Sequence, residues 1–157
     1  MIAYLTTDLP RHILIFEIVI LLITLSNIWT LKRTGRHIAL LNFPKVSILV
    51  PARNEERNIA ACVHSLLAQD YPDFEVLVLN DQSSDSTAAI LEQIAALNPK
   101  LRVLNGSPPP EGWVGKSWAC VQLAEAAQGD VFYFTDADTV HQPQAVRRAV
   151  SVPVSYT

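Results

Sequence analysis

Two aspartates that follow an apolar segment are the residues of this sequence best suited to chemistry. Asp136 and Asp138 come soon after the segment 132–134 (FYF), which is expected to form a strand. Side chains at positions i and i+2 of an extended chain point the same way, so both carboxylates would face one point beyond the strand. Two hard oxygen donors there suit Mg²⁺ or Mn²⁺ that already holds phosphate groups. An Asp-x-Asp pair also occurs in ordinary surface turns, so its interpretation depends on the segments that precede it.

The elements that would position these aspartates alternate in type from Val46 onward. Apolar segments are followed by helical patterns, which is typical of βαβ units around a parallel sheet. In open α/β sheets, ligands bind beyond the carboxyl ends of the strands. Pro51 is expected to end the first strand. The expected strands are 46–50, 74–79, 101–104 and the segment before Asp136, and the expected helices are 59–69, 86–97, 117–127 and one that begins near Pro143.

Polar residues also follow the first two strands. The segment 51–56 (PARNEE) follows the first strand, and it could hold a base or a ribose or simply form a solvated turn before a helix that Asn58 caps. The segment 80–87 (NDQSSDST) follows the second strand, and its residues 84–86 are of helix-capping types. Capping does not account for Asp81, whose carboxylate could accept the imide N–H of a uracil-like base.

A glycine- and proline-rich loop contains a lysine that could meet a phosphate. The segment 112–117 (GWVGKS) superficially matches a phosphate-binding loop, but that motif needs a glycine where Pro110 stands. Lys116 can still act as a point charge toward a diphosphate, with help from the N-terminus of the following helix. The alternative is a lysine that is only solvated.

The composition limits the classes of function. The chain has 157 residues, of which 50% are hydrophobic, and a formal net charge of −3, so it has no basic field that would recruit nucleic acid. Cys62 and Cys120 are not spaced like the ligands of a metal site. Each lies in a predicted helix, where we expect it to be a small buried apolar residue. His141 follows the aspartates and could lie near a metal, but its position does not suffice to assign it as a ligand.

The N-terminal region contains a candidate membrane span. The segment 13–31 is almost entirely apolar and is about as long as the 20 residues that cross a bilayer. A cleaved signal peptide would have a shorter apolar region of roughly 7–15 residues. A buried core helix is the other alternative, because Glu17 is costly in lipid. Lys32, Arg33 and further basic residues follow the segment, so the positive-inside rule predicts a single-pass protein of the cell membrane whose remaining chain is cytoplasmic.

Four motifs taken in order carry a resemblance to a known family. The segments VSILVPARNEERNI, LNDQSSDSTAAI, GWVGKSWAC and FTDADT, which lie between Val46 and about Arg148, resemble family 2 glycosyltransferases. The likeness is greatest to the membrane-associated branch linked to hopanoid and carotenoid glycosylation. The resemblance implies a GT-A fold, in which a Rossmann-like domain with a mostly parallel sheet binds a nucleotide-diphospho-sugar.

The resemblance also implies roles for particular residues and a divalent cation, Mg²⁺ or Mn²⁺. By position in the motifs, Ala52, Arg53 and Glu55 would line the nucleotide pocket, and Asp81 would contact the base. Lys116 would lie near the diphosphate, and Asp136 would contact the ribose or the sugar. Asp138 would coordinate the metal, with Asp136 as a further metal contact. An inverting hexosyltransferase-type reaction would then move the sugar to a membrane-associated acceptor, such as a lipid or polyisoprenoid.

The sequence also departs from the family pattern. The general base, commonly an aspartate in a later Glu-Asp motif, has no counterpart, and neither has a Gln-x-x-Arg-Trp motif. The helical pattern is lost from Ser151 onward, which would fit a truncated chain. We therefore expect the donor and metal half of a transferase, with domains at 1–31 (membrane helix), 32–45 (basic connector) and 46–157 (partial GT-A domain). The alternative is a non-catalytic, membrane-anchored module that binds a nucleotide or a partner, or an inactive fragment.

Overall fold

The computed structural model describes residues 2–34 and 43–151, with side chains described for 10–30 and 43–151. The chain divides into a helical N-terminal unit and an α/β unit that spans Leu40–Val150. Most of the expected basic connector, residues 35–42, lies outside the described residues.

The N-terminal unit is the helix α1, Ile2–Thr34, which is longer than the expected span. Its segment Pro10–Thr30 is long and apolar enough to cross a membrane, a test that a signal sequence also passes. Two threonines in this segment satisfy their hydroxyl groups within the helix: Thr24 donates to the Ile20 carbonyl and Thr30 to the Ser26 carbonyl, at 2.8 and 2.9 Å. Such bonds make these polar side chains compatible with an apolar surrounding.

The α/β unit is a parallel four-stranded sheet with helices on both faces, as expected from the alternation of patterns. The strand order is β3-β2-β1-β4, and every neighbouring pair is parallel. The strands are β1 Val46–Ala52, β2 Phe74–Asn80, β3 Leu101–Asn105 and β4 Val131–Phe134, and the helices are α2 Ile59–Leu67, α3 Thr87–Ala95, α4 Gly115–Ala126 and α5 Ala145–Val150.

The order of the strands reverses at β1. The chain moves from β1 outward to β2 and β3, and then returns to place β4 on the other side of β1. A crevice opens at such a switch point, outside the carboxyl ends of the strands, and this is where open α/β sheets bind ligands. The topology therefore brings the ends of β1 and β4 together at one edge.

The apolar core lies on both faces of β1 and β2. On one face, side chains of β1 and β2 pack with residues of α2, α3 and α5. On the other face, Leu49, Leu77 and Leu79 pack against Ala119 and Leu123 of α4. Burial on both faces explains why these two strands have nearly continuous apolar sequences. Strand β4 is less covered, since Phe132 and Phe134 are 46% and 47% exposed.

Pro51 does not end the first strand, contrary to the sequence-based expectation. It pairs with Leu79 of β2, and β1 continues to Ala52. In a parallel strand, alternate residues direct their backbone groups to opposite neighbours, and the Leu49 carbonyl accepts from Thr135 on the β4 side. Pro51 therefore also faces that side, where β4 has already ended at Phe134, so the missing N–H leaves no pairing unmade.

A buried carboxylate joins the strands to the turn before β4. Glu75 accepts hydrogen bonds from Ser47 Oγ at 2.6 Å and from the Gln128 backbone N–H at 2.7 Å. Arg102 completes the group with a bond of 3.2 Å to Glu75. Burial by itself would raise the pKa of Glu75, but these three donors outweigh it and lower the pKa below its ordinary value of 4.5. The turn that starts β4 is thereby tied to β1, β2 and β3.

Gly129 lies in this turn because no larger residue fits there. A Cβ atom at this position would meet the Ser47 backbone nitrogen at 2.6 Å and the Lys45 carbonyl oxygen at 2.8 Å. Its own N–H donates to Ser47 Oγ at 2.8 Å. The close approach sets where β4 begins and, through β4, where Asp136 and Asp138 lie.

We expect Gly129→Ala to destabilise the α/β unit by about 2 kcal/mol, because the methyl group would be forced into backbone atoms of β1. Urea denaturation followed by circular dichroism measures the change. The matched control is Gly115→Ala at the start of α4, where a Cβ would have only an ordinary contact of 3.6 Å with Asp81 Oδ2. That variant should be within about 0.5 kcal/mol of the parent or slightly more stable. Equal stabilities of the two variants would contradict the packing argument.

We also expect Glu75 to contribute to acid unfolding. A carboxyl group with a lowered folded-state pKa adds stability above its unfolded pKa and loses it as the pH falls through the folded value. The free energy of unfolding should therefore drop below about pH 4.5, and the drop should be shallower in Glu75→Gln. Denaturant titrations at pH 3 to 7 measure this slope. Glu92→Gln, on the exposed side of α3, is the control and should keep the parental slope.

Candidate functional site

One cleft of about 320 Å³ opens beyond the carboxyl ends of β1, β2 and β4, beside the start of α4. Every site residue expected from the sequence lies in its wall, although they come from four separate segments of the chain. The cleft is lined by Pro51, Ala52, Arg53, Glu55, Asp81, Gly115, Lys116, Ala119, Asp136, Ala137 and Asp138.

The loops after β1 and β2 are held together by side chains. Asn54 takes a left-handed backbone conformation with φ of 55°, which asparagine tolerates better than most residues. Its N–H donates to Ser83 Oγ at 3.0 Å, and its side-chain oxygen accepts from the Ser84 N–H at 2.8 Å. Gln82 also has φ of 55°. The crossed bonds fix the backbone that carries Arg53, Glu55 and Asp81.

A second set of bonds gives the predicted capping segment a further role. Asp85 Oδ1 accepts from the backbone N–H and the hydroxyl of Thr87, the first residue of α3, as a capping side chain does, and these bonds lower the pKa of the Asp85 carboxyl. The Glu56 N–H also donates to Asp85 Oδ2 and the Ser86 N–H donates to Glu56 Oε2, both at 3.1 Å. Ser86 stands at the N-cap position but makes no side-chain cap bond. The polar segment therefore ties two loops together, which a single strand end cannot reveal.

The cap expected for α2 is not formed. Asn58 is at the N-cap position, but its side chain makes no bond to the helix backbone. Its amide instead donates to Glu55 Oε2 at 3.1 Å. The Glu55 N–H in turn donates to Thr87 Oγ1 at 2.8 Å, so Glu55 is oriented at both its backbone and its carboxylate.

Asp81 is the most buried acid of the cleft, with 7% exposure. Its N–H donates to the Ala52 carbonyl at 2.8 Å, which continues the pairing of β1 and β2 by one further bond. Arg53 NH1 lies 3.9 Å from Asp81 Oδ2, at the limit of an ion pair. A buried carboxylate at the end of a strand can accept a hydrogen bond from a ligand with little competition from water.

Lys116 and Asp136 form an ion pair across the cleft. Helix α4 begins at Gly115 and not at Ser117, so Lys116 belongs to the first turn of the helix. Its Nζ lies 2.7 Å from Asp136 Oδ1, and this hydrogen bond raises the pKa of Lys116. Both side chains are more than half exposed, so the pair contributes little stability and a competing ion can replace either partner.

The geometry of the two aspartates differs from the expected alternation along a strand. Strand β4 ends at Phe134, and Ala137 and Asp138 form a turn. Thr139 Oγ1 closes this turn by donating to the Asp136 carbonyl at 2.7 Å. Ala137 is buried and the aspartates on either side are exposed, so both still line the cleft. The turn, and not the period of an extended chain, brings them to one site.

The donor set limits the metals that would fit. Within residues 2–34 and 43–151, no group of three or more His, Cys, Asp or Glu side chains is arranged to hold an ion. Asp136 and Asp138 offer two carboxylates from one short loop, so a metal ion held by this pair would take its remaining ligands from water or from a phosphate group. Such a site fits Mg²⁺ or Mn²⁺, which keep water and phosphate ligands, and does not fit a structural zinc ion, which takes four protein ligands.

Comparison with known families agrees with the motifs. The model of Glycosyl transferase family 2 matches residues 47–152, which is more than half of the chain. The chain belongs to this family. Its α/β unit is accordingly part of a GT-A-like domain, with the parallel sheet and crevice described above.

Two curated relatives within family 2 have names that refer to lipids. The chain is 36% identical over 110 residues to a β-monoglucosyldiacylglycerol synthase of Synechocystis, an alignment that covers 69% of this chain and 22% of that protein. It is 37% identical over 98 residues to a 4,4'-diaponeurosporenoate glycosyltransferase of Staphylococcus aureus, with 62% and 24% covered. The chain thus spans less than a quarter of the length of these relatives.

Solved structures extend the comparison to the fold. Staphylococcus aureus TarS matches with a TM-score of 0.57 and 30% identity, over 68% of this chain and 31% of TarS. TarS has also been solved with UDP-GlcNAc and with UDP. A mannosyltransferase of Pyrobaculum calidifontis, solved with GDP-mannose and Mn²⁺, matches with a TM-score of 0.64 and 25% identity, over 82% of this chain and 39% of that chain.

Sequence reasoning missed part of the wall of this cleft. Pro51, Gly115, Ala119 and Ala137 also line the cleft, and small residues of this kind carry no chemical signal in a single sequence. A second cavity of about 290 Å³ shares Pro51, Lys116 and Asp136 with the first and is completed by Cys120, Phe134, Thr135 and Thr139. The two cysteines are free as expected: Cys62 is buried and Cys120 is half-buried, and burial raises the pKa of both thiols.

Proposed function

We propose that the α/β unit binds the nucleotide-diphospho-sugar donor of an inverting glycosyltransferase whose acceptor is a membrane-associated lipid. The observation that carries this proposal is the convergence of motif residues from β1, β2, α4 and β4 on one cleft. The names of the lipid-related relatives and the nucleotide sugars bound by the two structural neighbours support it.

The proposed donor pose follows the order of groups along the cleft. Asp81, buried at the end of β2, would accept the imide N–H of the base, while Ala52, Arg53 and Glu55 would line the nucleotide pocket. Lys116 would approach the diphosphate from the first turn of α4, where the backbone N–H groups also favour anions. Asp136 would contact the ribose or the sugar.

The charge of the cleft supports a requirement for a divalent cation. Its described lining contains the carboxylates of Glu55, Asp81, Asp136 and Asp138, against the cations of Arg53 and Lys116 only. A diphosphate is itself anionic, so its entry into this cleft needs additional positive charge. We assign Asp138, with Asp136, to hold Mg²⁺ or Mn²⁺. When bound, such an ion offsets the charge that develops on the departing nucleoside diphosphate.

The transfer itself is a displacement at the anomeric carbon. A hydroxyl oxygen of the acceptor forms a bond to this carbon, while the bond to the diphosphate oxygen breaks and its electron pair leaves with the nucleoside diphosphate. Lys116 would stabilise the leaving group by its charge. We assign no residue of this chain to the base that takes the hydroxyl proton, so the proposal concerns donor binding.

The N-terminal helix supports an acceptor at a membrane. Its segment Pro10–Thr30 could form a single span of the cell membrane, and the basic residues that follow it favour a cytoplasmic α/β unit. An anchor of this kind would keep the enzyme at the surface from which a lipid acceptor presents its hydroxyl group.

We expect Asp138→Asn to weaken Mn²⁺-dependent binding of UDP-glucose at least tenfold, because one of the two carboxylates proposed to hold the ion is lost. Isothermal titration calorimetry with the full chain in detergent, with and without Mn²⁺, measures the affinity. Asp73→Asn is the matched control, since Asp73 is exposed just before β2, at the opposite end of the sheet. Unchanged affinity in the Asp138 variant would contradict the metal assignment.

The same titration separates the transferase from a non-catalytic module. If UDP-glucose and GDP-mannose neither bind nor raise the melting temperature of the parent chain, with or without Mn²⁺, the donor-site proposal is wrong. That result would favour the alternative, a non-catalytic membrane-anchored module in which the aspartates only form a turn.

We expect Lys116→Met to have different effects on the affinity for the nucleotide and on the affinity for the metal ion. Loss of the ammonium group should weaken UDP binding about tenfold, or ~1.4 kcal/mol, and should leave uridine binding unchanged. Binding of Mn²⁺ alone should be no weaker, because Asp136 loses a competing cation at 2.7 Å. Electron paramagnetic resonance of free Mn²⁺ measures the second effect.

The control for this pair of measurements is Lys100→Met, which removes the same charge in the turn immediately before β3, away from the cleft. It should bind UDP and Mn²⁺ as the parent does. A Lys116 variant that binds UDP normally would show that this lysine does not contribute to binding of the diphosphate.

A further inference from the structure

A group of four hydrogen-bonded side chains lies behind the loop that carries Asp136 and Asp138. His141 Nε2 is 2.8 Å from Thr135 Oγ1 and 3.0 Å from Thr139 Oγ1, and the two hydroxyl oxygens are 3.0 Å apart. Tyr133 OH lies 3.5 Å from His141 Nδ1. The two threonines immediately flank the segment 136–138, whereas His141 does not line the cleft.

The number of hydrogens available to these side chains limits which atom can donate in each hydrogen bond. The Thr139 hydroxyl donates to the Asp136 carbonyl at 2.7 Å, so it cannot also donate to the histidine. Among the neutral forms of the ring, the one with its hydrogen on Nε2 supplies a hydrogen to more of these contacts than the Nδ1–H form does. The bonds then run from Tyr133 OH to Nδ1, from Nε2–H to Thr135, from Thr135 to Thr139, and from Thr139 to the Asp136 carbonyl. Partial burial lowers the pKa of His141 and favours this neutral form.

The group is also fixed to helix α2. The His141 N–H donates to Ser65 Oγ at 3.0 Å, and Ser65 Oγ donates to the Cys62 carbonyl at 2.7 Å. The Cys62 thiol lies 3.6 Å from the Asp136 carbonyl oxygen, which therefore receives donors from both α2 and Thr139. The carbonyl between Asp136 and Ala137 is thus held from two sides.

We propose that His141 is a positioning residue for the Asp136–Asp138 loop, acting through Thr135 and Thr139 to fix the direction of both carboxylates. This role rests on the proposed function, because it matters for binding only if the two aspartates hold a metal–nucleotide complex. It differs from a ligand role: both ring nitrogens face hydroxyl groups, and neither lines the cleft. Loss of groups that orient metal ligands typically lowers metal affinity by 10–100-fold.

The experiment compares two replacements of His141 in the full chain. His141→Phe keeps a ring but removes both nitrogens, whereas His141→Gln keeps an N–H donor close to the place of Nε2. Calorimetric titration with Mn²⁺ and UDP should give about a tenfold loss or more for the phenylalanine variant, and a loss within about threefold for the glutamine variant. His64→Phe, at an exposed site on α2, is the matched control and should bind as the parent does.

A smaller change keeps the proposal testable if His141→Phe does not fold. Thr139→Val removes the hydroxyl that holds the Asp136 carbonyl, and Thr139→Ser restores it. The valine variant should lose Mn²⁺–UDP affinity about tenfold, and the serine variant should keep it. Urea denaturation of each variant separates a loss of binding from a loss of folding.

The outcomes distinguish this inference from the proposed function. If the parent chain binds Mn²⁺–UDP and the folded His141→Phe variant binds it equally well, the positioning role is wrong. It is also wrong if the glutamine variant loses as much affinity as the phenylalanine variant. If the parent itself does not bind, the proposed function is wrong; ring ¹⁵N shifts of His141 then test the hydrogen-bond chain alone, with a neutral Nε2–H ring expected and a protonated or Nδ1–H ring contradicting it.

Discussion

The position of strand β1 is the constraint on which the rest of the α/β unit depends. This strand is paired with β2 along its whole length and with β4 over its first half, and apolar helices cover both of its faces. A strand in this position has no free edge until β4 ends, so the crevice can open only beyond that point. The site therefore lies where β1 loses its second neighbour, next to Pro51 and Asp136.

A buried sheet of this kind is stable only if the polar side chains buried in it have hydrogen-bond partners. Glu75 is the main example, because its carboxylate lies among strands and is compensated by Ser47, Arg102 and the turn at Gln128. The same bonds determine where β4 starts. Polar groups in the loops after β1 and β2 are likewise paired with each other, because Asn54 and Glu56 of the first loop form hydrogen bonds with residues of the second, among them Asp85. The carboxylates of Glu56, Glu75 and Asp85, which make these structural contacts, are not among those that line the cleft.

The charges of the cleft bear on the proposed binding of a nucleotide-sugar donor. Lys116 Nζ forms an ion pair with Asp136 Oδ1 at 2.7 Å, whereas Asp138 has no hydrogen-bond or ion-pair partner within the described part of the chain. An exposed ion pair of this kind is weak. In the proposed complex, the metal ion would replace the lysine as the partner of the carboxylate, and the diphosphate would replace the carboxylate as the partner of the lysine. Behind this exchangeable pair, the threonine and histidine side chains hold the backbone of the loop.

The sequence by itself determined the alternation of strands and helices along the chain and the parallel α/β class, because apolar periodicity is a local property of the chain. The polar ends of the strands and the family motifs also identified the chemically distinctive residues of the cleft, although not the small residues that complete its wall. The sequence misjudged the end of the first strand at Pro51, since the edge that a strand leaves unpaired depends on a neighbour far along the chain. It also placed the start of α4 two residues too late. It also gave the wrong reason for the convergence of Asp136 and Asp138, which a turn closed by Thr139 brings about. Only the tertiary structure decided the partners of Glu75, Asp85 and His141, because hydrogen bonds between distant segments leave no periodic signal in a sequence.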